Sequence, residues 1–240
     1  MSRQTTNAAS RPVLLITGAS SGIGEATARR AAEAGYDLAL AARSARRLEA
    51  LREEIEQGGQ ARVVAFSADV QQWDSQQALI EAVVETFGGL DAVFANAGRG
   101  LEGRGYAGSD PQEWQEVLLT NVLGPALTVR ASLEALKKRR GHVIMTGSVA
   151  GRRVLPGSFY GATKSAVQSM AYNLREELKG SGMRVTLVEP GLVDTPFFDE
   201  PQQNALHADD IARSVIFALT QPQNVEVHDM CILPTPPVET

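Results

Sequence analysis

Cysteine is nearly missing from this chain of 240 residues: Cys231 is the only one. A single thiol excludes an internal disulfide and any cysteine-built zinc cluster. It suits a reducing, cytoplasmic setting. Histidine is scarce too. His142, His207 and His228 are scattered, with no pair one helical turn apart, so no metal role is assigned to them. No apolar run approaches the roughly 18 residues of a membrane span. Residues Met1 to Ser10 are polar, lack the apolar stretch of a secretory signal, and read as a flexible tail. Neither a fixed-period repeat nor a low-complexity tract nor an internal linker is visible, so residues 11–240 read as one domain. The net charge of −5, from 23 basic and 28 acidic residues, argues against nucleic acid as the main partner. The one basic run, Lys137 to Arg140, is the kind of cation cluster that complements a helix C-terminus.

What is present is regular alternation. Short apolar runs read as strands: Val13–Thr17, Leu38–Ala42, Arg62–Ser67, Asp91–Ala95, His142–Thr146 and Arg184–Val188, with a last one over Glu226–Leu233. Between them lie helical patterns at Glu25–Ala34, Ala45–Gln57, Asp74–Phe87, Pro111–Arg139, Ser158–Lys179 and His207–Leu219. Pro111, after Ser109 and Asp110, suits a first helical position. Near-continuous apolar strands are covered on both faces. Strand and helix in strict alternation imply βαβ units and a parallel sheet. Right-handed crossovers then leave a doubly wound, single-domain Rossmann fold of about seven strands flanked by helices.

The first strand runs into Thr17-Gly18-Ala19-Ser20-Ser21-Gly22-Ile23-Gly24. Glycines allow the tight turn and let backbone approach a phosphate. The following helix offers free N–H groups and its positive dipole end to a pyrophosphate. Three residues separate Gly18 from Gly22, unlike the commoner G-x-G-x-x-G spacing, and a lone glycine turn is a weak signal. Its place between first strand and first helix is what points to a dinucleotide.

This spacing, followed in order by Ala95-Asn96-Ala97-Gly98, Asn121, Ser148, Tyr160-x-x-x-Lys164 and Pro190-Gly191, resembles the short-chain dehydrogenase/reductase family over nearly the whole chain. Two features depart from the usual family pattern. Ala95 stands where asparagine is commoner, and Ser148 and Tyr160 lie twelve apart, one position closer than is usual.

Tyr160 and Lys164, four apart on a predicted helix, share one face. Such pairs also arise by chance on amphipathic helices. In order behind a nucleotide turn they read as a catalytic group. A free phenol titrates near 10, and a nearby ammonium is expected to lower that value. Tyr160 would then give a proton to a carbonyl oxygen or take one from an alcohol, while Ser148 stabilises charge on the same oxygen. The resemblance implies that Lys164 also binds the nicotinamide ribose, with Tyr160 beside the cofactor. It further implies that Asn121 holds a water linking Lys164 to solvent.

The second strand ends Ala42-Arg43-Ser44 without the acidic residue that would select NAD. Arg43, helped by Ser44, is placed to meet a 2′-phosphate, which predicts NADP(H); the alternative is a solvent-facing arginine. By resemblance, Asp69 holds the adenine amino group and Val70 a ring nitrogen through its amide, unless Asp69 merely caps the next turn. Ala97 and Gly98 would pass close to the cofactor ribose, with Asn96 tying strands together. Pro190 and Gly191 would bend over the nicotinamide, and the backbone at Val193 and Thr195 would contact its carboxamide.

The expected activity is reversible hydride transfer between nicotinamide C4 and a small alcohol, ketone or hydroxy acid. Substrate selection falls to Arg99–Gly108, Ala150–Phe159 and Pro196–Leu206, where Arg99, Arg104, Arg152 and Arg153 could meet a carboxylate. Asn224–Pro237 resembles family members acting on 3-hydroxy acids and small alcohols. The family usually forms dimers or tetramers through its long helices, here Pro111–Arg139 and Ser158–Lys179. Two other readings are a non-catalytic nucleotide sensor, for which the proton-donor set has no use, and a Rossmann-like methyltransferase, which leaves Tyr160, Lys164 and Arg43 unexplained.

Overall fold

A computed structural model describes residues 11–59, 61–101 and 105–236. Seven parallel strands form one sheet in the order β3-β2-β1-β4-β5-β6-β9. They are β1 Val13–Thr17, β2 Asp37–Ala42, β3 Val63–Ser67, β4 Ala92–Ala95, β5 His142–Thr146, β6 Arg184–Pro190 and β9 Asp229–Ile232. Two short strands, β7 Val193–Asp194 and β8 Leu206–His207, pair with each other outside it. The chain turns outward from β1 to β2 and β3, then returns past β1 to β4. The crevice at this reversal, above the strand C-termini, is where ligands of open α/β sheets bind.

Strand side chains alternate between the two faces. Leu15, Val93, Val143, Met145, Val185 and Leu187 pack with Leu79 and Val83 of α3 (Trp73–Phe87), Val129 and Leu136 of α5 (Gly124–Arg139), and Val167 and Ala171 of α6 (Phe159–Glu177). Leu14, Ile16, Leu38, Leu40, Phe94 and Ile144 face Ala28 and Ala31 of α1 (Gly22–Glu33), Leu48 and Leu51 of α2 (Ala45–Gln57), and Ile211 and Val215 of α7 (Ala208–Leu219). Both faces are covered, as the continuous apolar strands required.

Several boundaries differ from the sequence reading. α1 begins at Gly22, inside the glycine turn, three residues before its predicted start. β6 continues through Pro190, because β9 pairs with it as far as Ile232. β9 itself is shorter than expected. The largest difference is in the predicted helix Pro111–Arg139, which is two α-helices, α4 (Pro111–Leu118) and α5, joined by a π-helical turn over Leu119–Leu123. The Gly124 amide reaches back to the Leu119 carbonyl, five residues away. Pro125 supplies the reason: it has no N–H for the Asn121 carbonyl and its ring crowds that group.

No described helix is long and apolar enough to cross a membrane. Among the described residues no group of three or more His, Cys, Asp or Glu is arranged to hold a metal ion. The predicted tail, Met1–Ser10, lies outside the described residues, as do Arg104 and Pro237.

Candidate active site

The glycine turn is closed by contacts that leave no room for side chains. Gly18 has φ +66°, and a Cβ there would lie 2.8 Å from the Ala97 Cα. At Gly24 a Cβ would fall 2.3 Å from the Gly18 carbonyl oxygen. Ser21 stands at the N-cap of α1 without bonding its side chain back to the helix. The first-turn amides of α1 are therefore left to an external acceptor. Ser20, Ser21, Gly22 and Ile23 are half-buried, and the Thr195 side chain lies against Gly22.

Thr17 and Asn96 bind this turn to the centre of the sheet. The Thr17 hydroxyl accepts hydrogen bonds from the amides of Asn96 (3.1 Å) and Ala97 (3.3 Å). Asn96 Nδ2 donates to the Thr17 carbonyl at 3.2 Å, and Asn96 Oδ1 accepts from the Thr146 hydroxyl at 3.1 Å. Asn96 thus ties β1, β4 and β5 together.

Arg43 is exposed at the end of β2, and its guanidinium makes no ion pair with a described residue. Ser44 is the N-cap of α2, and its hydroxyl makes no capping bond to the helix. Asp69 makes the bland contact that the sequence left open: its Oδ1 accepts from the Gln71 amide at 3.0 Å, forming a local turn. Its backbone amide donates to the Ser75 hydroxyl at 3.0 Å. Val70 packs on Gly124 at the start of α5.

Ser148, Tyr160 and Lys164 converge above β5. Ser148 follows the strand, and its hydroxyl accepts from the Ala150 amide at 3.1 Å and donates to the Pro190 carbonyl at 3.5 Å. Tyr160 sits in the first turn of α6, whose start is fixed by Ser158 Oγ accepting from the Gly161 amide at 3.0 Å. Lys164, one turn on, is buried, and its Nζ donates to the Thr146 carbonyl at 2.8 Å. Gly98 opens on the same spot, its Cβ position lying 3.5 Å from Asn121 Oδ1 and 3.8 Å from Lys164 Nζ. Asn121, turned inward by the π turn, clamps Arg99: its Oδ1 accepts from the Arg99 amide at 2.9 Å and its Nδ2 donates to the Arg99 carbonyl at 3.0 Å. The same amide reaches the Thr163 hydroxyl at 3.3 Å.

The electrostatics correct one expectation. Burial pushes the Tyr160 phenol up to about 12, with the Ser148 side chain offsetting part of that rise. Burial also pulls the Lys164 ammonium down to about 8. The ammonium lies 5.8 Å from the Tyr160 ring centre and is spent on a backbone carbonyl, so desolvation outweighs the acidification that the four-residue spacing predicts. At neutral pH the phenol is a held proton.

The substrate side differs from the sequence reading at its arginines. Arg99 is paired with Glu113 and lies 3.7 Å from Glu116, and Arg152 is paired with Glu189 and Asp229. Neither guanidinium is free for a substrate carboxylate; Arg153 is exposed. Sequence reasoning missed Phe197, which covers Gly100 and meets the Tyr160 ring edge-on, centres 5.8 Å apart. Phe198 stands against it. Thr146 and Thr163 were missed as well, since their roles depend on backbone positions that no motif records.

A glycine turn with free helix amides at the switch point of a doubly wound sheet, with a buried lysine and a tyrosine beside it, is the arrangement of a dinucleotide-dependent oxidoreductase. The sequence profile described as short chain dehydrogenase matches residues 12–205. An uncharacterized oxidoreductase of Staphylococcus epidermidis is 35% identical over 227 residues, covering 92% of this chain and 96% of that one. Sulfoacetaldehyde reductase 2 of Chromohalobacter salexigens is 36% identical over 239 residues, covering 93% and 94%. Among solved structures, an alcohol dehydrogenase of the archaeon Thermococcus sibiricus complexed with 5-hydroxy-NADP superposes with a TM-score of 0.88 at 33% identity, covering 95% of this chain and 99% of that chain. The chain belongs to the short-chain dehydrogenase/reductase family.

Proposed function

We propose that this oxidoreductase uses NADP(H) to interconvert a small secondary alcohol and its ketone, with Tyr160 as general acid and base. The observation that carries the reading is the meeting of Ser148, Tyr160 and Lys164 at one end of the crevice whose other end is the uncapped N-terminus of α1. The residues present fit the cofactor. Gly18, Gly22 and Gly24 leave a cradle that a Cβ would fill. With Ser20, Ser21 and Ile23 they would hold the pyrophosphate, and Arg43 and Ser44 the 2′-phosphate. Asp69, Val70, Asn96, Ala97 and Gly98 would line the adenosine and ribose, and Pro190, Gly191, Val193 and Thr195 the nicotinamide. Bound there, the cofactor supplies or accepts the hydride.

This chain's own groups manage the proton. A phenol held near 12 stays protonated at neutral pH, which suits donation to the carbonyl oxygen as charge grows on it. Ser148 would donate a second hydrogen bond to that oxygen. Lys164 and Asn121 lie behind the phenol and would relay its proton from solvent. With Arg99 and Arg152 engaged by carboxylates and Phe197 and Phe198 at the lip, the site favours an uncharged alcohol or ketone over a hydroxy acid. The cofactor's 2′-phosphate is the feature that Arg43 would recognise, in keeping with the NADP-type ligand in the Thermococcus enzyme.

The reading includes a cytoplasmic setting, with which the single exposed thiol of Cys231 is compatible. It also includes self-association through α4, α5 and α6, with Leu118 of α4 and Leu123 of the π turn exposing apolar surface; light scattering would measure it. Replacing Tyr160 by Phe should lower kcat by about 10²–10⁴-fold and leave NADPH affinity within several-fold. Ketone reduction and NADPH titration of the same variant check both halves, and substantial residual turnover would overturn the assignment of the acid.

A further inference from the structure

β6 delivers a carboxylate to the back of the site. The Glu189 side chain is fully buried, and its Cγ lies 2.8 Å from the Cβ position of Gly147, the residue before Ser148. One carboxylate oxygen accepts from Arg152 Nε. The other, Oε1, is buried with no hydrogen-bond partner among the described residues. Arg152 closes the 3₁₀ turn Val149–Gly151 that leads away from Ser148, and its Nη2 also donates to Asp229 Oδ1 in β9. Asp229 Oδ2 accepts from the Tyr172 hydroxyl of α6 at 2.6 Å, and the Tyr172 ring lies against His228, centres 5.0 Å apart. A line of charged and polar groups therefore joins β6, the turn after Ser148, β9 and α6.

The aim of the Ser148 hydroxyl depends on that turn, because Ser148 Oγ accepts from the Ala150 amide at 3.1 Å. Ala150 lies inside the turn, and the far end of the turn is pinned by Arg152. A buried carboxylate with one lone oxygen is costly to keep, and an apolar side chain of similar shape would pack here without that cost. We propose that Glu189, acting through Arg152, is a positioning residue for Ser148: their ion pair fixes the turn that aims the Ser148 hydroxyl at the phenol of Tyr160. This rests on the hydride-transfer reading above.

The charge of the pair changes in an accessible range. Burial raises the Glu189 carboxyl to about 7, more than the Arg152 hydrogen bond lowers it. The groups facing Glu189 and Arg152 are Asp229 from β9, whose negative charge adds to the rise at Glu189, and Tyr172 from α6, which bonds to Asp229. Of these, Asp229 is held below its ordinary value despite its burial, by hydrogen bonds from Tyr172 and Arg152. As pH falls through about 7, Glu189 takes up a proton, the ion pair loses one charge, and Arg152 keeps only Asp229 as a charged partner among the described residues, while Ser165 Oγ still holds the Gly151 carbonyl at 2.8 Å. Turnover should fall on that acid side.

The test compares kcat, KM and hydrogen exchange across about pH 6–9 for the wild-type protein, Glu189→Gln, Arg152→Met and Arg152→Lys, using NADPH and a small ketone. Lost outer-shell support of this kind is expected to lower kcat by about 10–100-fold in Glu189→Gln and Arg152→Met, with the KM for NADPH changed by less than about threefold. The acid limb of the wild-type profile should be missing in Glu189→Gln, and Arg152→Lys should recover part of the rate. Amides of Val149–Arg152 should exchange faster in Glu189→Gln and Arg152→Met than in the wild type. A Glu189→Gln protein with wild-type kcat and an unchanged acid limb would overturn the proposal, as would unchanged exchange over the turn in both variants. If Glu189→Gln fails to fold, the half-exposed Arg152 variants carry the same comparison. Should the wild-type protein reduce no ketone with NADPH, the functional reading fails, and exchange over the turn still decides the positioning role.

Discussion

The two ends of the crevice are built from different materials. The nucleotide end is backbone: Gly18 and Gly24 pack against carbonyls and Cα atoms at distances that exclude a methyl group, and Thr17 and Asn96 fasten the turn to β4 and β5. The substrate end is side chain. Phe197 and Phe198 are about two-fifths exposed, and Trp114 stacks on Phe159. A backbone-built site tolerates almost no change, because there is no rotamer to adjust. A site lined by side chains on loops tolerates substitution and changes preference instead. On the proposed function, a common nucleotide would demand one rigid cradle, while the substrate could be respecified without touching it.

Three substitutions sharpen that contrast, and the largest effect is expected in the cradle. Gly24→Ala places a methyl carbon on the Gly18 carbonyl oxygen, so the turn must move. The expected cost is about 1–3 kcal/mol of stability, read by denaturant unfolding, together with a loss of NADPH binding greater than about tenfold. A stable, fully binding variant would break the contrast. Arg43→Ala removes a charge-assisted interaction worth about 1.5–3 kcal/mol. It should lower kcat/KM for NADPH by about 10–100-fold and leave NADH nearly unchanged, as paired steady-state kinetics would show; equal losses with both cofactors would mean that Arg43 does not read the 2′-phosphate. The smallest effect belongs to Phe197→Ala at the lip. Stability should change by less than about 0.5 kcal/mol, while the KM for a bulky ketone rises several-fold and that for the smallest one barely moves. Uniform loss across a ketone series would assign Phe197 to holding Tyr160 rather than to substrate selection.

The contrast also explains what could be read from the sequence. Strand runs such as Val13–Thr17 and His142–Thr146 were legible because burial on both faces leaves no polar interruption. The cradle was legible because glycine marks backbone approach directly. The interruption at Leu119–Leu123 was signalled only by Pro125, whose missing N–H acts on a carbonyl four residues upstream. The Arg152–Glu189 pair was hidden because 37 residues separate partners that only the pairing of β5 with β6 brings together. Seen singly, Arg152 passed for a substrate contact. The protonated state of Tyr160 was out of reach for a similar reason: spacing on a helix gives proximity to Lys164, whereas the depth of burial belongs to the assembled fold.

The π turn around Asn121 has a consequence for how the molecule can vary. An α-helix advances by about 100° per residue, so one surplus residue rotates everything before it relative to everything after it. Val129 and Leu136 keep their register against the sheet, while Val117 and Trp114 sit on an independently phased segment. The bulge works as a universal joint in the middle of a long rod. The half that carries Trp114 against Phe159 takes its own angle while the half against the sheet stays seated.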